Sequence, residues 1–253
     1  VWDDEAVRWD AYDLVVVRST WDYSDRRAAF LAWAARVPRV LNPLPVLAWN
    51  TDKSYLRGLG ARGVPTVATQ WIEPGEDPGR LHLPAGEVVV KPAVSAGSRD
   101  TERHRDPADA RRHAERLLEA GRTVMVQPYV ASVDAEGETG LLYIDGHFSH
   151  AVRKGATLVR PGAAEGRLFA PEEITHAAPN PLQRAAAEAV LDALQWPRGE
   201  LLYARVDLVR GDGGAPRLLE LELTEPSLYL RFGDGAADRF AAAIARRLGA
   251  VYH

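Results

Sequence analysis

Tyr203-Ala204-Arg205-Val206-Asp207-Leu208-Val209 and, past the turn Gly211-Asp212-Gly213-Gly214, Leu218-Leu219-Glu220-Leu221-Glu222-Leu223 decide how this chain folds. Both segments alternate polar with apolar residues. Successive side chains of a strand point to opposite faces, so Arg205 and Asp207 share one face of the first strand, and Glu220 and Glu222 share one face of the second. The Gly-rich turn makes the strands antiparallel neighbours. Arg205, Asp207, Glu220 and Glu222 therefore converge on one side of a sheet, with Leu and Val on the other. Carboxylates that close repel one another unless a cation neutralises them. Hard oxygen donors suit Mg²⁺, which takes a few carboxylates and completes its shell with substrate phosphates. The rival is a solvated, charged sheet face. Against it, this is the most apolar part of the C-terminal half.

Lysine usage points the same way. Among 31 Lys and Arg residues the only lysines are Lys53, Lys91 and Lys154. Ordinary surface charge is written as Arg here, so each Lys asks for a reason. A compact ammonium suits a phosphate oxygen, whereas Arg is a planar fork. Lys91 ends the apolar run Val88-Val89-Val90 and precedes a small-residue loop, Ser95-Ala96-Gly97-Ser98. A strand thus delivers a cation and a pliant turn to one end of a sheet. The plain alternative is leftover lysines in an arginine-biased coding sequence.

Composition sets outer limits. The 253 residues, 46 % hydrophobic and 26 % charged, form a globular chain with a core large enough to need no staples. There is no cysteine, so disulfide and thiolate chemistry are excluded. A net charge of −4 with interspersed signs argues against a nucleic-acid surface. No apolar run has the length of a membrane span. The histidines are scattered, with no pair at zinc-ligand spacing. No signal segment stands out, so a cytoplasmic protein is expected. Val1-Trp2-Asp3-Asp4 reads as the end of a strand, which leaves an upstream strand and helix to be expected.

Along the chain, a strand at 14–17, a helix at 25–37 and a strand at 39–41 predict a β-α-β unit with a parallel sheet. Ligands bind beyond the strand C-termini of such sheets, so Arg18-Ser19-Thr20-Trp21-Asp22-Tyr23 is a candidate substrate wall, with core packing as the rival role for Trp21 and Tyr23. A helix should start at Asn50-Thr51-Asp52-Lys53, with Thr51 or Asp52 as N-cap, and close at Gly63-Val64-Pro65. Strands at 66–72, 87–91 and 123–127 with a helix at 107–120 make a small α+β unit. A hairpin of 139–144 and 147–153 turns at Asp145-Gly146, a type I′ signal. Residues 156–173 look irregular and loop-like. Helices at 181–194 and 236–248 flank the acidic hairpin. The expected class is α/β (α+β), divided into a partial N-terminal unit at 1–49, a small unit at 50–128 and a large unit at 129–253.

These residues together resemble the ATP-grasp ligases, the superfamily of D-alanine–D-alanine ligase and glutathione synthetase. There an Arg-x-Asp strand is followed by Glu-x-Asn. Here Arg205-Val206-Asp207 is followed by Glu220-Leu221-Glu222, with Glu220 standing 13 residues after Asp207 and Glu222 replacing Asn. The resemblance spans nearly the whole chain and implies an ATP-grasp fold, two α+β subdomains sandwiching ATP. It implies metal ligation by Asp207, Glu220 and Glu222, with two Mg²⁺ ions and Mn²⁺ as the alternative. It implies nucleotide contacts from Lys53, Lys91, the flap residues Ser95, Gly97 and Ser98, and the hinge Gln127-Pro128-Tyr129-Val130. Pro128 lacks an N–H, so Val130 is the expected donor to adenine. Asp134 or Glu138 would reach the ribose. Arg205 would stabilise the transferring phosphoryl group, with Arg153 and Lys154 serving the same charge or forming a solvated strand end.

Arg18-Ser19-Thr20-Trp21-Asp22-Tyr23, His150-Ala151-Val152-Arg153-Lys154 and Glu220-Leu221-Glu222-Leu223-Thr224-Glu225-Pro226-Ser227 are similar to the cycloserine-forming cyclo-ligase subgroup. This implies a small amino-acid-like substrate, with Arg18, Ser19, Trp21, Asp22, Glu225 and Ser227 as candidate contacts, and a role in amino-acid or antibiotic biosynthesis. The reaction implied is carboxylate–amine ligation through an acyl phosphate, giving ADP and phosphate. Cyclisation and condensation stay open, as does a homodimer. Two rivals remain: a small-molecule kinase on the same scaffold and a non-catalytic ATP-binding module.

Overall fold

The computed structural model describes residues 1–158 and 173–249. Most of the irregular segment expected at 156–173 therefore lies outside the described residues. Strand β1 (Val15–Val16) pairs in parallel with β2 (Val40–Leu41) across helix α1 (Arg27–Arg36), as the β-α-β reading requires. The helix is shorter than expected, because Trp21–Asp25 winds as a 3₁₀ turn in front of it. Val1-Trp2-Asp3-Asp4 is a turn and not a strand end. The Asp4 N–H bonds the Val1 carbonyl at 3.2 Å, and the Trp2 indole packs on Phe30 and Trp33 while donating to Asp22 at 3.0 Å. A large indole gains more from that burial than from an extended edge.

Helix α2 (Leu44–Asn50) follows, an element the sequence did not announce. Helix α3 (Tyr55–Ala61) begins later than its cap signal suggested. The Asp52 carboxylate accepts the Ser54 N–H at 2.9 Å in a turn and does not cap the helix. Strands β3 (Gln70–Ile72), β4 (Val88–Pro92) and β5 (Glu102–His104) come next, then helix α4 (Pro107–Glu119) and strand β6 (Val124–Pro128). The strands form one antiparallel sheet in the order β3-β6-β4-β5. Asp106 caps α4 by accepting the Ala108 N–H at 2.8 Å. Ala110, His113, Ala114 and Leu117 form its buried face against the sheet, the helical spacing of one stripe. Strand β5 was not anticipated. It brings His104 Nε2 within 3.0 Å of His113 Nδ1, so histidines scattered in sequence meet in space. Burial pushes His113 down to about 4, and the two imidazoles hold one another as a neutral pair.

The second half builds a five-stranded sheet. Its elements are α5 (Ser132–Glu136), β7 (Glu138–Ile144), β8 (His147–Lys154), β9 (Ile174–His176), α6 (Pro181–Asp192), β10 (Tyr203–Arg210), β11 (Pro216–Glu222) and α7 (Ala236–Gly249). Strand order is β11-β10-β7-β8-β9, all neighbours antiparallel. The β7–β8 turn has Asp145 at φ 53 and Gly146 at φ 79, the paired left-handed residues of a type I′ hairpin. Helix α6 packs Ala187, Val190 and Leu191 with Leu141, Val206 and Leu208 on one side of the sheet. Helix α7 packs Phe240 and Ala243 with Leu142, Val152 and Tyr203 on the other. Each such buried Leu or Val contributes roughly 1.5–3 kcal/mol.

The edge strand β11 carries the carboxylates and is held from outside. Asn50 donates to the Leu221 carbonyl at 2.8 Å and accepts the Leu223 N–H at 2.6 Å. The Tyr55 hydroxyl donates to the Leu221 carbonyl at 2.8 Å, and lies 2.9 Å from the Leu221 N–H. The Val67 N–H donates to the Leu218 carbonyl at 3.0 Å, and the Leu218 N–H to the Pro65 carbonyl at 2.7 Å. An open edge would leave these groups unpaired. Closing it fixes where Glu220 and Glu222 stand.

Candidate active site

A cavity of about 380 Å³ opens between the four-stranded and five-stranded sheets, within the size range of small-molecule sites. The hairpin register sets Arg205 opposite Glu222 and Asp207 opposite Glu220, so the polar faces read from alternation do coincide. Glu220 and Glu222 face the cavity, their side chains 28 % and 25 % exposed. Asp207 does not line it. At 1 % exposure it is sunk beneath, with Arg205 Nε at 2.9 Å and Lys154 Nζ at 3.0 Å. Burial works against this carboxylate, yet Arg205 and Lys154 hold it down at about 2. Burial equally opposes the Lys154 charge, and Asp207 and Glu138 push its pKa well above the usual lysine range. Glu138 lies on the cavity wall, 2.9 Å from Lys154.

Glu222 behaves differently. Burial, with Glu220 and Asp207 nearby, raises it to about 7 although Arg205 pairs with it. The wall thus carries more negative charge than its own cations settle, which suits a divalent ion with oxygen donors.

All three lysines reach this site. Lys53 donates to the Ser95 carbonyl at 2.6 Å and stands 3.2 Å from Glu220, tying the base of the flap to the acidic strand. The Lys91 ammonium has no hydrogen-bond partner among the described residues, though the residue is 7 % exposed and lines the cavity. Burial lowers its pKa to about 8, against the pull of Glu220. Ser95 is buried, while Gly97 (φ 60) and Ser98 (φ 58) turn left-handed and expose the flap tip. Gln127, Tyr129 and Val130 line the far end. The Tyr129 N–H is already given to the Glu87 carbonyl at 2.7 Å, whereas the Val130 N–H finds no partner among the described residues.

Several expected residues are not brought to the cavity. Arg153 is exposed, because it alternates with buried Lys154 on the same strand. Asp134 faces Arg103, at 2.9 Å, and the Tyr129 hydroxyl instead of the cavity wall. Of Asp134 and Glu138, Glu138 is the one that lines the cavity. Arg18 and Ser19 are exposed, with the Arg18 guanidinium 5.7 Å from the Phe240 ring. Asp22 accepts the Trp2 indole and pairs with Arg26 at 3.0 Å. From that segment Trp21 reaches the wall, as do Glu225 and Ser227 from the other side.

A curated relative, the cycloserine biosynthesis protein DcsG of Streptomyces lavendulae, is 42 % identical over 98 % of this chain and 87 % of its own length. This chain belongs to the cycloserine-synthetase subgroup of ATP-grasp ligases. The family model for the N-terminal domain of D-cycloserine synthetase DcsG matches residues 1–42. The crystal structure of D-cycloserine synthetase DcsG superposes with a TM-score of 0.85 at 41 % identity, covering 98 % of this chain and 88 % of that one. A D-alanine–D-alanine ligase from Bacillus anthracis superposes at 0.66 with 19 % identity, over 95 % of this chain and 81 % of that one, a likeness of fold. As an ATP-grasp ligase the chain is an enzyme that forms a C–N bond with ATP. No helix among the described residues is long and apolar enough to cross a membrane.

ATP-grasp motifs led to the charged strands but not to everything at the site. Tyr23, Asn50 and Tyr229 also line the cavity. Tyr229 sits at φ 44, ψ 37, a left-handed conformation uncommon for a bulky residue, with its ring 5.6 Å from the Arg205 guanidinium. No alternation or spacing marks Asn50 or Tyr229, whereas Tyr23 closes the Arg18–Tyr23 segment read as a candidate substrate wall. Only the buried Asn between apolar Trp49 and the Thr51-Asp52-Lys53 turn could have hinted at Asn50.

Proposed function

We propose that this ligase activates the carboxylate of a small amino-acid-like molecule with ATP and closes a ring by attack of a nitrogen of the same molecule. The carrying observation is Lys91: a buried ammonium with no hydrogen-bond partner among the described residues, aimed into the cavity beside the acidic strand. A phosphate oxygen completes it. Lys53, already linked to Ser95 and Glu220, is the second phosphate contact. Val130, with its unused N–H, reads the adenine edge, and Glu138 stands for the ribose. Ligand sites of this kind lie between units, here 50–128 and 129–253, with 1–49 supplying Trp21 and Tyr23.

Glu220 and Glu222 are the residues that would hold Mg²⁺, with Asp207 as the cross-strand neighbour of Glu220. Bound there, Mg²⁺ supplies neutralisation of phosphate charge. Asp207 and Lys154 keep Arg205 in place, and Arg205 then faces the phosphoryl group in flight. The likeness to D-cycloserine synthetase supports cyclisation over condensation and a place in antibiotic biosynthesis. Use of ATP makes the cytoplasm the natural compartment.

Hydroxylamine tests the reading. Added to a turnover mixture it should trap the acyl phosphate as a hydroxamate, with ADP as the nucleotide product. A stable phosphoester without hydroxamate would show a kinase, and AMP would overturn attack at the γ-phosphate. Glu220→Gln should abolish both ADP and hydroxamate.

A further inference from the structure

We propose that Glu102, His104 and His113 form a Zn²⁺ site on the four-stranded sheet, apart from the ligase cavity. Glu102 and His104 alternate with Arg103 on β5, so they share the face that meets α4. His113 belongs to the buried stripe of α4 that covers that face. No histidine pair stands at ligand spacing in the sequence, because packing makes this pair and one element does not. None of the three residues lines the cavity. Their ligand atoms all lie within 4.8 Å of one another.

The spacing is that of a chelate. A tetrahedral ion with Zn–N bonds of about 2.0–2.1 Å sets its ligand atoms about 3.4 Å apart. His104 Nε2 lies 3.0 Å from His113 Nδ1 and 3.7 Å from one Glu102 oxygen, and His113 Nε2 lies 3.8 Å from the other. The ring centres are 5.2 Å apart. Two imidazoles on one such ion have their centres at that same distance, so turning the rings in place makes room for it.

The chemistry agrees. The two buried rings share one hydrogen bond, and His104 Nδ1 has no partner among the described residues. Apolar side chains would fill the same space without that desolvation cost. Burial lowers the pKa of both rings, which leaves each with a lone pair at neutral pH, the form that binds metal. Glu102 brings the negative charge and, with its side chain 43 % exposed, a way in from solvent. Its surface partner is Arg116, 3.6 Å away and 59 % exposed, a contact that an ion displaces at little cost. Imidazole nitrogens disfavour Mg²⁺, which prefers oxygen, and suit a borderline ion such as Zn²⁺. On binding, the proton between the rings moves to an outer ring nitrogen, and water takes the fourth position. The ion then ties β5 to α4 and so staples the sheet in which β4 carries Lys91.

Zn²⁺ uptake tests this, on the tag-free chain with Mg-ADP saturating the cavity. By calorimetry wild type should bind one Zn²⁺ per chain, and the ion should raise its melting temperature. Co²⁺ in its place should give the visible absorption of a tetrahedral site. Glu102→Gln, at a surface position where the fold tolerates change, should weaken Zn²⁺ by about tenfold or more, at least the cost of losing a partner behind a ligand. His113→Asn should abolish the Co²⁺ band, and Glu220→Gln should leave it unchanged. Wild type that takes up no stoichiometric Zn²⁺ overturns the proposal. So does Zn²⁺ binding that keeps its wild-type affinity in Glu102→Gln and falls only in Glu220→Gln, which would put the ion among the cavity carboxylates.

Discussion

Two ion clusters flank the cavity and follow different physics. Arg205, Asp207 and Lys154 are buried, with side chains 4 %, 1 % and 9 % exposed. Arg103, Glu87 and Asp134, behind Tyr129, are 13 %, 20 % and 49 % exposed, and the Arg103 guanidinium lies 3.4 Å from the Tyr129 ring centre. In the first cluster every charge depends on the others, because water cannot replace a lost partner. In the second, solvent takes over when a partner is removed. The lesson is that the same Arg–carboxylate chemistry locks a desolvated cluster beneath the cavity in one place and braces a wall in the other.

Breaking the buried cluster should give the largest effect. Asp207→Asn removes the carboxylate that Arg205 and Lys154 share, leaving them only Glu222 and Glu138, and denaturant unfolding should show a loss of about 3–5 kcal/mol. Turnover should fall with it. The native Asp207 contribution is present above the unfolded carboxyl value of roughly 3.9. It should vanish as pH drops through that value toward the folded pKa of about 2. A stability loss no larger than that of an exposed pair would erase the contrast between the clusters.

Lys91 sharpens the comparison, since it is buried without any partner. Its pKa is lowered from 10.5 to about 8, chiefly by burial. The folded chain thus holds this proton less tightly than the unfolded one, and the resulting cost to stability fades as pH rises between those values. ATP affinity should run the other way. Phosphate needs the charged ammonium, so affinity should weaken as pH climbs past about 8. Lys91→Arg should bind ATP less well at neutral pH but with a flatter profile, because guanidinium stays charged. Identical profiles in the two proteins would remove Lys91 from the phosphate site.

Gly140 supplies a steric probe. A Cβ there would stand 3.0 Å from the Asp207 carboxylate and 3.5 Å from Arg205 Cδ. Gly140→Ala should cost about 1–3 kcal/mol by overpacking and lower turnover by displacing Arg205. Normal kinetics in that variant would mean the cluster has slack. The smallest effect belongs to the outer brace: Arg103→Gln should change stability by no more than about 1 kcal/mol, with a modest rise in KM for ATP as Tyr129 loosens. A larger loss would place this network with the buried one.

Much of this was legible in the chain. Alternation put Arg205 and Asp207, and Glu220 and Glu222, on shared faces, and the Asp145-Gly146 and Gly213-Gly214 turns fixed which strands pair. Three isolated lysines marked the cavity because an arginine-rich chain kept Lys only there. Period-two and turn signals are local, so one sequence carries them without knowledge of the rest. Depth is not local. Asp207 and Glu220 look alike in sequence, yet one lies beneath Arg205 and Lys154 and the other faces the cavity. Arg153 and Lys154 are adjacent, and the sheet exposes one and buries the other. Asn50 and Tyr55 close an edge strand more than a hundred positions away, and Tyr23 meets Glu225 only across the assembled cavity. Sequence thus determined which charges share a strand face, because side-chain direction follows from the backbone repeat. Tertiary structure alone decided which of them are desolvated, paired or left open to a ligand, because that depends on what packs above each one.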